Sequence, residues 1–404
     1  MDYHVAKNAK ITSPQGFTAA GIASGIKKRQ ALDLGAIVCE VPAVAAAVFT
    51  TNAFQAAPIL ITKQSLAVEG KLQAVIVNSG IANAGTGEQG LANADQMRRI
   101  VAEQLKIPAH YVGVASTGVI GEQLPMQIIQ QGIEKLLTGT SKQGADDFAQ
   151  AILTTDTFSK TAEVRLTIDG QQVTVAGCAK GSGMIHPQMA TMLGFLTTDA
   201  HIAYPALQQL LREVTDETFN MVTVDGDCST NDTVVVMANG LANNSLLHPD
   251  HPEWSKFRAA FSYVCRELAK QLARDGEGAT KLIEVCVEGA INKEQARTIA
   301  KSIVGSSLVK TAVFGEDANW GRILCAMGYG DPTLDPQQVD LWMGEILLVR
   351  KGQPLPLDEE EAKAELEKEK VFFLVDLHQG DDSAVAWGCD LTYDYVKINA
   401  SYRT

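Results

Sequence analysis

The chain has 404 residues, and its shares of hydrophobic (46%) and charged (20%) residues are usual for a globular protein with a substantial core. Its net charge of −13 argues against nucleic acid as a partner, because that ligand requires a concentrated basic surface. No apolar run approaches the roughly 18 residues of a membrane helix, and the seven dispersed cysteines lack zinc-site spacing, so we expect a cytoplasmic protein without membrane or metal partners.

Strands and helices alternate in the first half of the chain. A buried strand is predicted at 73–77, where it runs into a glycine-rich loop, and apolar periodicity predicts helices at 95–105 and around 129–137. A β-hairpin is indicated next, because apolar residues alternate on both sides of an Asp169-Gly170 turn.

The second half continues this mixture of elements. The pattern predicts a strand at 192–197 and helices at 205–214 and 252–274, the last with an apolar and aromatic stripe that is typical of core packing. The remaining predicted elements are a strand from 283, a helix from 292, a strand at 308–314, strands near 341 and 372, and a charged helix or linker at 358–370. Because strands and helices interleave without a regular βαβ cadence, we predict an α/β (α+β) fold with a smaller C-terminal domain.

The sequence lacks the common enzyme signatures: it has no P-loop, no dinucleotide-binding glycine motif, no nucleophile elbow and no zinc-protease helix motif. Eight loops rich in small residues remain, and glycines in such loops let backbone N–H groups approach a ligand. Any one of them alone is usually a plain turn, but eight together favour a site built from loops. They are NSGIANAG (78–85), ASTGVIG (115–121), TTDTF (154–158), KGSGM (180–184), MATML (189–193), VDGDCSTND (224–232), DGEGATK (275–281) and FGEDANWGR (314–322).

The segment KGSGMIHPQMATMLGF, residues 180–195, contains one threonine, Thr191. A threonine hydroxyl is a weak nucleophile that needs a base within hydrogen-bond reach. If the bond between Ala190 and Thr191 were cut, the new α-amine, with a pKa of about 7.7–8.0, could be that base. His186 lies beside a proline, which is more typical of a structural histidine. The residues alone do not single out this pair, because any chain contains many pairs of a small residue and a threonine.

The loops in their order resemble the glutamate N-acetyltransferase family of arginine biosynthesis, also called the ornithine acetyltransferase family. KGSGMIHPQMATMLGFLTTDA is similar to the family's autoprocessing segment, and STGVIG, TTDTF, DGEGATK, FGEDANWGRI and the terminal NASYRT match in order. The resemblance extends from GFTAAGIASGIKK, at residues 16–28, to Thr404.

This resemblance implies that the chain cleaves itself between Ala190 and Thr191, and that Thr191 then carries the acetyl group as an N-terminal nucleophile. Thr117 and Gly118 match the pair that stabilises the oxyanion, a role for which a hydroxyl and a glycine N–H are suitable donors.

Substrate binding is also implied by the resemblance. The matching positions are Thr154, Lys180, Thr191, Glu277, Asn399 and Thr404. Thr155 and Thr157 repeat the residue type beside Thr154 and compete with it for this assignment.

The fold implied by the resemblance is a layered αββα core of the N-terminal-nucleophile type. An α chain of residues 1–190 would supply half of this core together with the oxyanion loop. Residues 191–282 would begin the β chain with the nucleophile strand and core helices, and residues 283–404 would form the C-terminal domain and a tail that returns to the site.

The implied activity transfers an acetyl group from N2-acetyl-L-ornithine to L-glutamate by a ping-pong mechanism. Some members also make N-acetylglutamate from acetyl-CoA, and we favour this bifunctional form. Because the free energy of the acetamide is conserved through the cycle, we expect no cofactor. The family also implies an α2β2 heterotetramer of the two self-derived chains.

Two other classes of protein are considered. A related N-terminal-nucleophile amidase or aminopeptidase would cleave itself in the same way but release its acyl group to water. A catalytically inactive binding protein would use the glycine loops only as structure. The roles of Asp225 and Asp227 in VDGDCSTND, and of the FGEDANWGR loop, are left open between site support and plain turns.

Overall fold

Two β-sheets and the helices packed on them form the fold, as described by a computed structural model for residues 3–28, 30–186 and 192–401. The predicted α/β class is therefore confirmed. Ala190, Thr191 and Thr404 lie outside the described residues. Within the described parts, no helix combines the length and the apolar character that a bilayer crossing requires.

The strands are β1 (Tyr3–Val5), β2 (Phe17–Ile22), β3 (Leu34–Phe49), β4 (Lys71–Ile81), β5 (Val112–Val119), β6 (Lys160–Ile168), β7 (Gln171–Lys180), β8 (Leu193–Thr198), β9 (Val222–Thr223), β10 (Thr233–Ala238), β11 (Leu282–Ala290), β12 (Asp340–Met343), β13 (Ile346–Arg350), β14 (Gln353–Pro354), β15 (Lys370–Asp376) and β16 (Asp382–Cys389). The helices are α1 (Ala57–Glu69), α2 (Gly87–Leu105), α3 (Met126–Thr138), α4 (Ala145–Ala151), α5 (Tyr204–Glu217), α6 (Trp254–Arg274), α7 (Lys293–Gly305), α8 (Ser307–Phe314), α9 (Trp320–Gly330), α10 (Glu359–Leu366) and α11 (Tyr393–Ser401).

The first sheet contains nine strands within the described residues, in the order β1-β6-β7-β8-β10-β3-β4-β5, with β2 added against β3. Strands β7 and β8 are antiparallel neighbours, so Lys180 pairs with Leu193. Strands β4 and β5 are parallel, and their carboxyl ends lie together. The end of β7 lies beside the start of β8, and a side-chain contact between Lys180 and Thr117 brings the end of β5 to the same place.

The second sheet has seven strands in the described chain, in the order β14-β13-β12-β15-β11-β16-β9. Most of it follows residue 282, but β9 joins it from the preceding segment and pairs with β16. Helix α6 packs against strands of both sheets. Phe257, Phe261 and Leu268 on its apolar stripe are fully buried, which confirms that this stripe belongs to the core.

The predicted hairpin is confirmed as β6 and β7. Asp169 and Gly170 have φ values of 50° and 77°, as the tight turn between twisted strands requires. The structure also confirms the helices and strands predicted around 95–105, 129–137, 192–197 and 252–274; α2 begins at Gly87, eight residues before the predicted start, and the other boundaries shift by three residues or fewer.

The strand predicted at 308–314 is wrong, because these residues form helix α8. The Ser306 side chain accepts a hydrogen bond from Val309 N and caps the helix. Val309, Ala312 and Val313 are buried at helical spacing, while Leu308 is 58% exposed. A short apolar run has no clear periodicity, so it does not distinguish a strand from a helix. The Ser306 cap and the spacing of the buried residues are the features that indicate a helix here.

Candidate active site

Six of the eight small-residue loops meet around one polar cavity of about 170 Å³. They are the loops at 78–85, 115–121, 154–158, 180–184, 224–232 and 275–281, and the C-terminal helix α11 closes the cavity with Tyr395 and Asn399. Residues 189–191 of MATML lie outside the described residues. FGEDANWGR does not line the cavity among the described residues.

Thr117 and Gly118 lie at the end of β5, where the parallel register pairs them with Ser79 and Gly80 of β4. Gly118 has a φ of 129°, and a Cβ added there would lie 2.2 Å from the carbonyl carbon of Gly80. Only glycine satisfies both conditions without strain. The close approach of the two strands therefore fixes the backbone at the edge of the cavity.

Lys180 ends β7 beneath the cavity, with only 3% of its surface exposed. Its Nζ donates to Thr154 Oγ1 at 2.8 Å and to Thr117 Oγ1 at 3.3 Å. Burial lowers the pKa of the Lys180 ammonium, and the Asp156 carboxylate 3.8 Å away opposes this shift. The structure therefore joins three of the predicted site residues through one buried cation.

A buried ion network supports Lys180 from below. Asp156 accepts hydrogen bonds from Lys160 Nζ at 2.8 Å and from Gly181 N at 2.5 Å, and Lys160 Nζ also contacts Asp275 at 2.5 Å. Burial alone would raise the pKa of Asp156, but Lys180 and Lys160 hold it well below its usual range. Two ammonium groups thus balance two carboxylates in a region without solvent access.

The three threonines of TTDTF have different surroundings. Thr154 contacts Lys180, Thr155 hydrogen-bonds Ser182 Oγ at 2.7 Å, and Thr157 is tied to Asp275 by its backbone N–H and its hydroxyl. Thr154 and Thr155 line the cavity, whereas Thr157 does not. Thr154 therefore differs from Thr155 by its contact with Lys180, and from Thr157 also by its place in the cavity lining.

Glu277 and Asn399 meet on another wall of the cavity. Asn399 Nδ2 donates to Glu277 Oε2 at 2.8 Å, and the Glu277 backbone N–H donates to Ser182 O at 2.9 Å. Gly183 leaves room for this carboxylate, since a Cβ at Gly183 would lie 2.4 Å from it. Helix α11 therefore brings the chain's C-terminal segment back to the predicted site.

Asp225 lines the same cavity and organises the turn after Lys180. Its carboxylate accepts from Met184 N at 2.6 Å and from Ile185 N at 2.9 Å. Burial raises its pKa. Tyr395 lies nearby, and burial together with the Asp225 and Asp227 carboxylates raises the pKa of its hydroxyl. Asp225 and Asp227, two of the three aspartates of VDGDCSTND, thus line the cavity.

Asp232 is fully buried at the end of the same loop. Its Oδ1 accepts from Met192 N at 2.9 Å, so it holds the residue that follows Thr191. Oδ2 has no hydrogen-bond partner among the described residues. Burial raises the pKa of this carboxyl well above its ordinary value. Burial therefore favours the protonated form of this carboxyl beside Met192.

Sequence reasoning missed Asp156, Asp232 and Asn231. Asn231 Nδ2 donates to Ala82 O at 2.7 Å and to Ser116 O at 2.8 Å, and so joins two of the loops. All three residues lie inside motifs already singled out, but their partners are set by strand register. The parallel pairing of Thr233 with Leu193 brings Asp232 to Met192, and nothing local in the sequence indicates it.

The FGEDANWGR loop lies behind the cavity wall. Glu316 is 3.2 Å from Lys281 Nζ, and the Phe314 ring contacts Tyr393 at a centroid distance of 5.7 Å. Tyr393 begins α11, which carries Asn399. The loop therefore touches both the DGEGATK segment and the helix that bring polar groups to the cavity.

The cavity suits a small zwitterion. One ammonium, from Lys180, stands against the carboxylates of Asp225, Asp227 and Glu277, with threonine hydroxyls between them. Its volume of about 170 Å³ fits a ligand of amino-acid size. Among the described residues, no group of three or more histidine, cysteine or carboxylate side chains could hold a metal ion.

A mixed α/β fold with such a loop-built, charge-paired cavity defines a small-molecule enzyme. The chain belongs to the ArgJ family, whose model matches residues 18–404.

Two relatives, both named arginine biosynthesis bifunctional protein ArgJ, support this membership. The protein of Geobacillus kaustophilus (strain HTA426) is 59% identical over 394 residues, covering 98% of this chain and 96% of its own. That of Halalkalibacterium halodurans is 56% identical over 399 residues, covering 98% and 97%. A crystal structure of arginine biosynthesis bifunctional protein argJ from Bacillus halodurans is 56% identical, with a TM-score of 0.51, and covers 52% of this chain and 98% of that one.

Proposed function

We propose that this chain transfers an acetyl group from N2-acetyl-L-ornithine to L-glutamate through an ester on Thr191. Membership of the ArgJ family makes it an acetyltransferase of arginine biosynthesis, and it does not favour the hydrolase alternative. The observation that carries the detailed mechanism is the cavity itself, in which Lys180 joins Thr117 to Thr154 opposite the Glu277–Asn399 pair.

Self-cleavage between Ala190 and Thr191 prepares the nucleophile in this proposal. The cut frees the α-amine of Thr191, which then serves as the base for the hydroxyl of the same residue. One solved structure supports a split chain. In the crystal structure from Bacillus halodurans, 98% of the matched chain is aligned, but it covers only 52% of the present chain. Residues 191–404 likewise make up about half of the present chain.

The first half-reaction forms the acyl-enzyme. Thr191 Oγ attacks the acetyl carbonyl of N2-acetylornithine, its proton passes by way of the α-amine to the departing nitrogen, and ornithine leaves. The hydroxyl of Thr117 and the N–H of Gly118 donate to the oxyanion. Losing one such donor costs about 10²–10³ in rate in a protease where it was measured.

The second half-reaction transfers the acetyl group to glutamate and restores free Thr191. The α-amine of glutamate attacks the ester carbonyl, the Thr191 hydroxyl regains its proton, and N-acetylglutamate leaves. Donor and acceptor share an α-carboxylate but carry side chains of opposite charge. Lys180 and Thr154 suit the shared carboxylate, and Glu277, Asn399 and Thr404 complete the binding of the amino-acid part.

Acetyl-CoA is a second acetyl donor in this proposal, as expected of a bifunctional enzyme. The self-derived chains, 1–190 and 191–404, form an α2β2 heterotetramer that works in the cytoplasm. No cofactor is required, because each step moves an acyl group between nucleophiles.

The first test compares the denatured mass of the wild type with that of Thr191→Ala. We expect two fragments separated before Thr191 in the wild type and one intact chain in the variant. An intact wild-type chain would remove the proposed base and overturn the mechanism.

The second test separates transferase from hydrolase. Enzyme is incubated with N2-acetylornithine with and without glutamate, and N-acetylglutamate and acetate are measured. We expect N-acetylglutamate in proportion to the ornithine released and little acetate. Release of acetate at the same rate in both samples would instead support the alternative of a hydrolytic amidase or aminopeptidase.

A further inference from the structure

A second and larger cavity, the basic groove, lies beside the amino-acid cavity. Its volume is about 1190 Å³, and its described walls come from the end of β3 and from α1, α5 and α7. The charged side chains that line it are basic Lys63, Arg212, Arg297 and Lys301 and acidic Asp216 and Glu294. In a chain with a net charge of −13, this local excess of positive charge favours an anionic ligand.

Two arginines of the groove are available to a ligand. Arg212 on α5 and Arg297 on α7 make no ion pair or side-chain hydrogen bond with the described residues. Arg165 and Arg258, by contrast, lie against carboxylates. Arg297 lies one helical turn before Lys301 on the same face of α7. Guanidinium groups pair with phosphate oxygens through two parallel hydrogen bonds, which makes arginine the usual phosphate ligand.

The groove and the amino-acid cavity share a wall. Thr50 lines the groove, and its Oγ1 donates at 2.9 Å to the carbonyl of Ser229, which lines the cavity. Thr50 N donates to Asp232 O at 3.0 Å, and Asp232 holds Met192 N. His186 lines the groove, two residues after Met184 in the cavity. Both spaces therefore flank the points where the chain enters and leaves the segment that contains Thr191.

The amino-acid cavity cannot hold a nucleotide. Its volume of about 170 Å³ is too small, and three of its four charged side chains are carboxylates, which repel phosphate. A phosphate monoester carries a charge of about −1.5 to −2 at pH 7. A phosphorylated acetyl donor that reaches Thr191 must therefore place its phosphates elsewhere, and the basic groove is the adjoining space with matching charge and size.

We infer that the basic groove binds the phosphorylated nucleotide of acetyl-CoA, with Arg212 and Arg297 on its phosphates and the thioester directed past Thr50 toward the amino-acid cavity. This inference rests on the proposed acetyl transfer and assigns a site to its second donor. In the step it serves, Thr191 Oγ bonds to the acetyl carbon and the C–S bond breaks. The hydroxyl proton passes by way of the α-amine to the thiolate, which leaves as free coenzyme A.

The test compares two donors with the same self-cleaved enzyme. Arg212→Gln, Arg297→Gln and the double variant are assayed with acetyl-CoA plus glutamate and with N2-acetylornithine plus glutamate. The matched control is Arg350→Gln, an exposed arginine on β13 outside the groove. We expect KM for acetyl-CoA to rise about tenfold per arginine, the loss typical of a hydrogen bond to a charged group. KM for N2-acetylornithine and glutamate should stay at the wild-type value in every variant.

A truncated donor tests the contact with the phosphates directly. S-acetylpantetheine carries the thioester but no nucleotide, so the wild type should show a higher KM for it than for acetyl-CoA. The double variant should show the same KM for S-acetylpantetheine as the wild type. A double variant that keeps the wild-type KM for acetyl-CoA would overturn the inference, as would an equal loss with N2-acetylornithine.

If the wild type transfers from N2-acetylornithine but neither binds coenzyme A in calorimetry nor uses acetyl-CoA, the groove assignment fails and the transferase stands. No transfer from N2-acetylornithine, with coenzyme A still bound by the wild type but not by the double variant, would overturn the proposed function and support the groove.

Discussion

Lys180 shows how much a single site residue depends on groups that never touch a ligand. It is buried among threonines, and burial lowers its pKa, so its charge rests on Asp156. Asp156 in turn balances Lys160. A lone lysine at that depth would lose its proton, and the cavity would lose the one cation that lines it in the described chain.

Replacing Asp156 with asparagine should therefore affect stability and activity together. Breaking a buried ion pair by removing one partner costs about 3–5 kcal/mol, because the remaining charge is uncompensated. We expect a loss of this size in urea denaturation of the uncleaved Thr191→Ala background, and loss of transfer in the wild-type background.

The matched control for that substitution is Asp146→Asn. Asp146 pairs with Lys10 at 3.2 Å, but both side chains are exposed. An exposed pair contributes at most about 1 kcal/mol. Equal effects of the two substitutions would show that the buried network does not stabilise the site.

Asp232 predicts a pH dependence of stability. Burial raises its pKa in the folded protein well above the unfolded value of about 3.9. The folded state therefore binds the proton more tightly. The stabilisation is complete below the unfolded pKa and is lost as pH rises through the folded pKa. As pH rises above the unfolded pKa of about 3.9, urea midpoints of Thr191→Ala should accordingly fall more steeply than those of Thr191→Ala with Asp232→Asn.

Asparagine keeps an acceptor for Met192 N, so this comparison isolates the titration of the carboxyl. Asp199 and Asp225 also have raised pKa values, but they are present in both proteins and cancel in the difference. Parallel curves for the two proteins would contradict a raised pKa of Asp232.

At the scale of strands and helices, the ends of β5 and β7 position the cavity. At Gly118 the backbone of β5 lies so close to Gly80 of β4 that a Cβ would overlap it. Gly118→Ala should remove transfer activity and destabilise the chain, because the added Cβ meets the Gly80 carbonyl and the φ is unfavourable.

Gly121→Ala is the matched control for the strand end. Gly121 also has a positive φ, 86°, but a Cβ there meets nothing within 4 Å. The unfavourable φ of alanine at this position should by itself lower the free energy of unfolding in urea by about 1–3 kcal/mol and leave transfer measurable. If Gly118→Ala behaves like Gly121→Ala, the close approach of the strands is not what shapes the cavity at Thr117 and Gly118.

Elements with a strong local pattern could be predicted from the sequence, and elements without one could not. The hairpin has both alternation and an Asp-Gly turn, and α6 has a long apolar stripe. Helix α8 has only eight residues, and its period becomes visible only once its buried face is known. The motifs likewise indicated Thr117, Lys180 and Glu277 through the family resemblance.

The rest of the site follows from pairing across the chain, which no local pattern encodes. Asp232 reaches Met192 because β10 and β8 are parallel neighbours. Asp156 contacts Lys180 at the open end of the predicted β6–β7 hairpin, but the alternation that predicts the hairpin does not specify which side chains meet beyond its strands. The register between β8 and β10 decides the contact of Asp232, and sequence spacing carries no information about it.

At the scale of the whole molecule, the proposed cut at Ala190–Thr191 falls inside one sheet. Strand β7 precedes the cut and β8 follows it, and the two are antiparallel neighbours. Strand β10 of the second part pairs with both β8 and β3, and α6 packs on β6 and β7. Lys160 and Asp275 form a buried ion pair between the two parts.

The two fragments should therefore stay together as one folded unit after cleavage. Each would expose strand edges and the buried face of α6 if it left, and long exposed edges and large apolar faces are not stable in water. We expect gel filtration in native buffer to give a single species containing both fragments in equal amounts, and separation only in denaturant. The uncleaved Thr191→Ala chain should elute at the same position, because cleavage changes the covalent chain and not the sheet. Fragments that separate in native buffer would mean that the sheet does not hold the two parts together, and a site that needs Lys180 from one part and Glu277 from the other would then be lost.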